Sequence, residues 1–315
     1  GNCRWTDVCA YLQKPHRDWK MKSSSCFSRR TFIQLGASAS AGFTFMQPAK
    51  PEPPLTLGFS LYGMKMLKTG EALLRLSTIG FDSVELCLNN GWDAAPANLP
   101  AKRRRALRVL LGNYGLKLTS LMENLSLAGN QKTNLARLKE AAALGHELSP
   151  GAPPLIETVM GNGKWDDVKN QFRDSLGHWA ETARANKTLI CVKPHRFGAV
   201  NRPEQAVWLI DQIKNQWIKL AFDWSHFIHR GLKLEPTLKA MIPHTRFIHV
   251  KDTIIKEGRP RFVLPGESKQ IDYAKLIGRA HALGYRGDIC AEVSGQVWGQ
   301  KGYDPIAAAL QCYRN

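Results

Sequence analysis

Four polar residues in the second half of the sequence stand near the ends of short apolar runs. They are Lys193, Asp223, His249 and Glu292. Side chains alternate between the two faces of a strand, so these groups can all point to one common face. Amine, imidazole and carboxylate groups bind ligands and move protons in enzymes. The pattern therefore predicts one site at the carboxyl ends of four successive strands.

The apolar runs themselves are typical of buried parallel strands. They are rich in Ile, Val, Phe and Cys, and they are bounded by Gly, Pro or charged residues. On the face of the polar groups, the residues two positions earlier are Cys191, Ala221, Phe247 and Cys290. The opposite face is predicted to lie under helices through Val192, Phe222, Val250 and Ala291.

Strand and helix patterns alternate along the chain from Leu55 onward, and they predict eight strand–helix units. The predicted strands are Leu55–Tyr62, Ser83–Leu88, Lys117–Glu123, Leu155–Met160, Leu189–His195, Ile218–His226, Phe247–Asp252 and Asp288–Ser294. The predicted helices are Glu71–Ile79, Leu99–Tyr114, Gln131–Leu144, Trp165–Ala185, Pro203–Lys214, Glu235–Met241, Asp272–Leu283 and Asp304–Tyr313.

Eight such units over about 260 residues predict an α/β fold of the (β/α)8 TIM-barrel type, whose working residues lie on the C-terminal rims of the strands. A doubly wound open sheet is the competing architecture. It would show a Gly-rich phosphate loop after the first strand, and the stretch from Gly58 to Gly63 is a poor version of one. The barrel is the predicted fold of residues 55–315.

Short motifs on these strands resemble a known family. The most specific ones are Phe222-Asp-Trp-Ser-His226, Ile248-His-Val-Lys-Asp252, Pro265-Gly-Glu267 and Cys290-Ala-Glu-Val-Ser294. From Leu55 to Tyr313 the chain resembles the xylose-isomerase-like TIM barrels, also described as the sugar phosphate isomerase/epimerase superfamily. The resemblance implies a barrel enzyme that acts on a small carbohydrate.

The resemblance also implies a divalent metal that is held by a Glu on strand five, an Asp on strand six, a His on strand seven and a Glu on strand eight. Asp223, His249 and Glu292 match the last three positions. In the family the two glutamates move a proton between adjacent sugar carbons, which implies a catalytic role for Glu292. His226 matches a position that lies beside the substrate, and it is a catalytic candidate.

Strand five offers Lys193 where the resemblance implies a glutamate. A protonated ammonium has no lone pair for a metal and repels it. Three interpretations are open. Asp223, His249 and Glu292 hold Mn, Mg or Zn with water, His195 or His226 completing the shell. Alternatively, Lys193 replaces the metal as the positive charge, or burial lowers its pKa so that it serves as an acid or base.

Further residues on the strand ends and in the loops are candidates for substrate contacts. Interior glutamates on strands two and four either touch substrate or are neutralised by a neighbouring Arg or Lys. A long loop is predicted after strand seven, and it carries two of the candidates. The full set is His195, Glu85, Glu157, Arg261, Glu267 and Trp298.

The N-terminal region carries a different pattern. Ser28-Arg-Arg-Thr-Phe-Ile33 precedes a weakly hydrophobic stretch, which resembles a twin-arginine (Tat) export signal and predicts a periplasmic protein. Met21 is a better start for such a signal than Gly1, so residues 1–20 are interpreted as upstream sequence from a mis-assigned start. Residues 1–49 are the predicted extension and signal region, and residues 50–54 are a Pro-rich linker.

The composition narrows the class of partner. Lys and Arg number 44 against 26 Asp and Glu, which gives a formal net charge of +18. A basic surface fits nucleic acid, anionic polymers or a phosphorylated substrate. The nuclease branch of the resembled superfamily needs a larger set of His and carboxylate ligands than this sequence offers, so no nucleic-acid partner is predicted. No apolar run is long enough to predict a membrane span.

The predicted function is a carbohydrate isomerase or epimerase that transfers a proton beside a carbonyl group at the C-terminal rim of the barrel. Two alternatives stand beside it. One is a lyase or dehydratase that acts on an oxidised sugar. The other is a non-catalytic sugar-binding barrel that lost its activity with the strand-five glutamate.

Overall fold

A computed structural model of the protein describes residues 55–315. The twin-arginine motif and the Pro-rich linker lie outside the described residues, so the export signal and the periplasmic location stay predictions. Among the helices of the described part, none is both long enough and apolar enough to cross a membrane.

Eight parallel strands close into a barrel, as predicted. Around the barrel the strands follow the order β1, β10, β7, β6, β5, β4, β3, β2. Their bounds are Leu57–Ser60 (β1), Ser83–Cys87 (β2), Lys117–Met122 (β3), Leu155–Val159 (β4), Ile190–Lys193 (β5), Ile218–Phe222 (β6), Thr245–Val250 (β7) and Asp288–Ala291 (β10). The remaining two strands, Asp252–Lys256 (β8) and Arg259–Val263 (β9), form a separate antiparallel pair.

Helices follow the barrel strands and cover their outer faces. Their bounds are Thr69–Ile79 (α1), Ala101–Asn113 (α2), Gln131–Leu148 (α3), Trp165–Ala185 (α4), Pro203–Ile213 (α5), Leu234–Met241 (α6), Tyr273–Ala282 (α7), Gly295–Trp298 (α8) and Pro305–Arg314 (α9). The (β/α)8 barrel is therefore confirmed, and α4 has the predicted bounds.

The two predicted faces of the strands are also confirmed. A small apolar cluster fills the inside of the barrel below the polar groups, and it consists of Leu155, Cys191, Ala221, Phe247 and Cys290. The residues that alternate with them belong to the main core between strands and helices, and they are Val192, Phe222, Val250 and Ala291. This apolar cluster, the barrel floor, packs beneath the polar groups and fixes their position along the barrel axis.

Several predicted strands ran past the observed strand ends, in two cases because the chain turns early at the C-terminal rim. After β1, residues Leu61–Met64 form a 3-10 turn, and after β6 residues Trp224–His226 do the same. The second turn begins with Asp223, whose carboxylate accepts a hydrogen bond from the backbone N–H of Ser225 at 3.0 Å. This capping interaction satisfies a donor that the strand leaves free.

The long loop predicted after strand seven is wrong, because the chain forms a hairpin there. Strands β8 and β9 pair in register from Asp252 with Val263 to Lys256 with Arg259. Glu257 and Gly258 connect them with φ angles of 53° and 70°. Two consecutive positive φ values are typical of a type I′ turn, whose twist matches that of the paired strands.

Gly287 provides a test of packing at the entrance to β10. A Cβ atom at this position would lie 2.6 Å from the Tyr285 hydroxyl and would also meet the Arg246 carbonyl. We expect Gly287→Ala to lower the free energy of unfolding by about 1–3 kcal/mol through overpacking, as measured by urea denaturation.

Gly278→Ala is the matched control for this substitution. Gly278 is exposed inside α7, and nothing lies within 4 Å of its added Cβ. Replacing a helical glycine with alanine should raise stability by about 0.5–1 kcal/mol. Equal effects of the two substitutions would contradict the close contact at Gly287.

Candidate functional site

Lys193 lies at the centre of the polar cluster inside the barrel mouth. It is the last residue of β5, and its Nζ lies 2.7 Å from Glu292 Oε2 and 3.2 Å from Glu157 Oε1. His249 Nδ1, from β7, lies 2.9 Å from the same Nζ. Only 3% of Lys193 is exposed. The structure thus brings together Lys193, His249 and Glu292 of the predicted site with Glu157, one of the predicted substrate contacts.

His249 connects this centre to the second strand. Its Nε2 lies 3.0 Å from Glu85 Oε1, and the other oxygen of Glu85 accepts a hydrogen bond from Ser120 Oγ at 2.7 Å. Glu85 is completely buried. It therefore orients His249 from behind, and both of its oxygens already have protein partners.

A second ammonium group, which was not predicted as part of the site, lies beside the first. Lys251 Nζ lies 2.6 Å from Glu292 Oε1 and 3.5 Å from Asp223 Oδ2. Lys251 was assignable from the sequence, because it lies two positions after His249 and such residues share a face of a strand. Glu292 is thus held between two lysines, one on each oxygen.

Asp223 and His226 form the opposite side of the site. Asp223 Oδ1 accepts hydrogen bonds from the backbone N–H and the hydroxyl of Ser225, while its Oδ2 lies 3.2 Å from His226 Nε2. The imidazole of His195, from the loop after β5, lies 4.1 Å from that of His226 between ring centroids. Of the two histidines, His195 is only half-buried and lies nearer to solvent.

The three other predicted substrate contacts lie farther out. Arg261 and Glu267 have exposed side chains, and Glu267 accepts a hydrogen bond from the backbone N–H of Leu264. Trp298 belongs to an aromatic group on the rim, which it forms with Tyr62 and Trp92. None of these three side chains contacts the Lys193 cluster among the contacts of residues 55–315.

Burial and neighbouring charges set the protonation states of the acids. Burial raises the pKa of the Glu292 carboxyl, but Lys193, Lys251 and His249 outweigh it, so the pKa falls well below its ordinary value. For Asp223, burial is likewise outweighed by His226 and Lys251, and its pKa is also low. Glu157 differs: burial dominates and raises its pKa.

The pKa values of the basic groups in the site are shifted as well. Burial lowers the pKa of Lys193, but Glu157 and Glu292 outweigh it, and the pKa lies well above the ordinary value. The interpretation in which burial lowers the Lys193 pKa is therefore wrong. Burial lowers the pKa of His226 to about 4 and that of His195 to about 2. Both imidazoles are consequently neutral at pH 7.

A divalent metal does not fit among these residues as they stand. Ammonium groups lie between the predicted ligands Asp223, His249 and Glu292, and a cation repels a metal ion. Glu85, His249 and Cys290 do place donor atoms within 4.8 Å of one another. In this triad, however, both oxygens of Glu85 and both ring nitrogens of His249 already have protein partners.

Phe262, from the hairpin, covers the mouth of the site. Its ring centroid lies 4.4 Å from the Arg196 guanidinium, 4.9 Å from Lys251 Nζ and 5.6 Å from the His226 ring. Below this cover, several buried polar atoms have no hydrogen-bond partner within the described part of the chain. They are both carboxylate oxygens of Glu157, Oδ2 of Asp223 and Nε2 of His226. Buried atoms of this kind normally bind water or a ligand.

A comparison with models of protein families matches residues 73–315 to the xylose isomerase-like TIM barrel family. The chain belongs to this family. No match was found among curated proteins.

Solved structures of family-like barrels have the same fold at low sequence identity. A xylose isomerase-like TIM barrel protein from Mycobacterium smegmatis, solved in complex with magnesium, has a TM-score of 0.63 and 17% identity over 82% of this chain and 94% of its own. The D-psicose 3-epimerase from Clostridium cellulolyticum H10, solved with D-tagatose, has a TM-score of 0.64 and 15% identity over 82% of this chain and 96% of its own.

A third similar structure is longer than this chain. It is a fusion of a xylose isomerase-like TIM barrel with 4-hydroxyphenylpyruvate dioxygenase, with a TM-score of 0.67 and 18% identity over 83% of this chain. This chain covers 42% of the fusion protein. At these identities the likeness shows the fold alone.

Replacing Lys193 tests the charge balance of the site. In Lys193→Met, Glu292 and Glu157 lose a buried partner, so the free energy of unfolding at pH 7 should fall by about 3–5 kcal/mol. The pKa of Glu292 is lowered from 4.5 in the folded protein, so its stabilisation is present above pH 4.5 and is lost as the pH falls further. Urea denaturation should therefore show that the difference between wild type and variant shrinks in acid.

Lys117→Met is the matched control for Lys193→Met. Lys117 pairs with Asp288 at 2.9 Å on the surface, where its side chain is 51% exposed. We expect a loss of at most about 1 kcal/mol from this exposed pair. A loss as small as this in Lys193→Met would contradict the role of Lys193 as the central buried charge.

The effect of added metal on the melting temperature tests separately whether the site can hold a divalent ion. We expect the melting temperature of the wild type to stay unchanged on adding Mn²⁺ or Zn²⁺ and on treatment with a chelator. Lys193→Glu removes the central cation and adds a carboxylate ligand, so it should acquire a metal-dependent rise in melting temperature. A metal-dependent shift in the wild type would show that the lysines do not exclude the ion.

Proposed function

We propose that this protein is a carbohydrate isomerase or epimerase that transfers a proton beside a carbonyl group, with Lys193 as the positive charge of the site. The observation that carries the proposal is the position of Lys193 Nζ, 2.7 Å from Glu292 and 3.2 Å from Glu157. The family supports the substrate class, since its barrel is shared with a D-psicose 3-epimerase.

Removal of a proton beside a carbonyl places negative charge on the carbonyl oxygen. Donors and cations fixed in a dry site stabilise such a charge strongly. Lys193 has three N–H groups, and its contact with Glu157 lacks the geometry of a hydrogen bond. The ammonium therefore has donor capacity left for a substrate oxygen, and Glu292 holds both ammonium groups in place.

Glu157 is the residue that we assign to the proton transfer. Its raised pKa makes it a better base than the other carboxylates, and both its oxygens lack a hydrogen-bond partner within residues 55–315. One carboxylate beside two adjacent carbons can remove a proton from one and return it to the other. Glu292 is less suited to this role, since two ammonium groups lower its pKa.

Asp223 and His226 orient the opposite side of the substrate. Arg196 donates its backbone N–H to His226 Nδ1 at 3.4 Å, so Nε2 carries the proton and faces Asp223. Both the site and this pair lie beneath Phe262.

Deuterium exchange tests the proposed reaction. Incubation of the purified protein with a panel of keto- and aldo-sugars in D2O should introduce deuterium at the carbon beside the carbonyl. Glu157→Gln should lower the exchange rate by about 10²–10⁴-fold, because the proton carrier is lost. Mass spectrometry of the recovered sugars gives the readout.

Glu235→Gln is the control for this variant. Glu235 pairs with Arg279 on the surface, in α6 and away from the contacts of the Lys193 cluster, and its amide form should exchange deuterium at the wild-type rate. Absence of exchange across the panel in the wild type would reject the proposed reaction.

A non-catalytic sugar-binding barrel is the second candidate function. The specific observation in its favour is that Glu292 is saturated, with one lysine on each carboxylate oxygen at 2.7 and 2.6 Å. Under this alternative the wild type binds a sugar without exchanging deuterium, and Glu157→Gln leaves the binding unchanged.

A further inference from the structure

An open cleft of about 340 Å³ lies on the rim, beside the loops that follow β1 and β2. Three cationic residues and one carboxylate line it, together with an indole ring. They are Lys65, Lys68, Arg103, Asp93 and Trp92. None of these residues takes part in the Lys193 cluster.

The single carboxylate of the cleft is already fully engaged. Asp93 Oδ2 accepts hydrogen bonds from the backbone N–H and the hydroxyl of Thr69, each at 2.9 Å. Lys68 lies 3.1 Å from Oδ1, and Arg103 lies 2.5 Å from Oδ2. A single carboxylate neutralises only one of its two cationic partners, so the cleft keeps a net positive charge. Lys65 adds a further cation that is exposed.

The start of α2 adds an independent observation. The helix begins with Ala101-Lys-Arg-Arg-Arg105 and has no acidic residue in its first turn. Cations at the positive end of a helix dipole are unfavourable. A local rule broken in this way is expected where the residues serve a function, and Arg103 from this turn lines the cleft.

An aromatic group lies beside the cleft. Trp92 stacks on Tyr62 with ring centroids 5.3 Å apart, and Trp298 meets both rings edge to face. Tyr62 lies close enough to Glu292 to feel its charge, which together with burial raises the pKa of Tyr62 to about 12. The indole N–H of Trp298 is buried and has no acceptor among residues 55–315.

Lys65 is the cation of the cleft that is available to a charged ligand group. Its Nζ lies 4.4 Å from the centroid of Trp92 and 5.5 Å from that of Trp298. No carboxylate within the described part of the chain forms an ion pair with it at 4.0 Å or less. Lys65 therefore offers a charge without an ion-pair partner to the anionic group of an acidic sugar.

We propose that this cleft binds the anionic group of an acidic sugar, a carboxylate or a phosphate. The inference rests on the proposed function in one respect, namely that the carbonyl end of the same sugar reaches Lys193. Lys65 and Arg103 supply the charge, and the ring of Trp92 holds Lys65 in place.

Calorimetric titration with three probes tests the proposal. Glucuronate carries a carboxylate, glucose 6-phosphate carries a phosphate, and glucose carries neither. At least one of the anionic probes should bind roughly 5- to 10-fold more tightly than glucose at low salt, and the tighter of the two identifies the anion. Equal binding of all three probes would overturn the proposal.

Lys65→Glu and Lys275→Glu form a matched pair for this experiment. Both reverse one exposed charge, but Lys275 lies on α7, away from the cleft. Lys65→Glu should abolish the preference for the anionic probe, and Lys275→Glu should retain it. An equal effect of both variants would indicate general attraction by the basic surface and would reject the cleft.

The binding readout is independent of turnover. Anion preference without deuterium exchange would reject the proposed isomerase and leave the cleft intact. Deuterium exchange on neutral sugars without anion preference would reject the cleft and leave the proposed isomerase intact.

Discussion

The buried contact between Lys193 and Glu292 is the interaction on which the rest of the site depends. Ionised groups are stable in a protein interior only when opposite charges and hydrogen bonds replace the lost water. Here His249, Lys251 and Asp223 continue the alternation of charge around that pair. Removing any one of them leaves a neighbour without compensation, so the cluster behaves as a unit and its members cannot be assigned independent energies.

Barrel closure determines where these groups meet. Lys193, His249 and Glu292 belong to strands five, seven and eight of the barrel, and the floor of Leu155, Cys191, Ala221, Phe247 and Cys290 supports them from below. The floor residues are mostly small, which leaves room above for long side chains to bend inward. A similar barrel in which the strand-five residue is a carboxylate would collect negative charge at the same point, whereas this chain has an ammonium there.

Much of this arrangement was predictable from the sequence, and the part that was not has physical reasons. Strand-end positions and alternating faces follow from a period of two, so Lys193, Asp223, His249 and Glu292 were found without coordinates. Lys251 was not among the predicted site residues, although the same alternation carries it into the site. The role proposed for Glu157 depends on its contact with Lys193. This contact joins two neighbouring strands, so no local sequence pattern indicates it. The hairpin was not predicted because its signal lies in the turn at Glu257 and Gly258 and not in apolar runs.

The cysteines in the barrel floor have a consequence for the redox behaviour of the protein. Thiol–disulfide exchange and oxidation proceed through the thiolate. Burial raises the pKa of Cys191 and Cys290, and neither is accessible to solvent. Both sulfurs therefore behave as compact apolar atoms, and the platform under the charged cluster should keep its shape in reducing and oxidising surroundings alike.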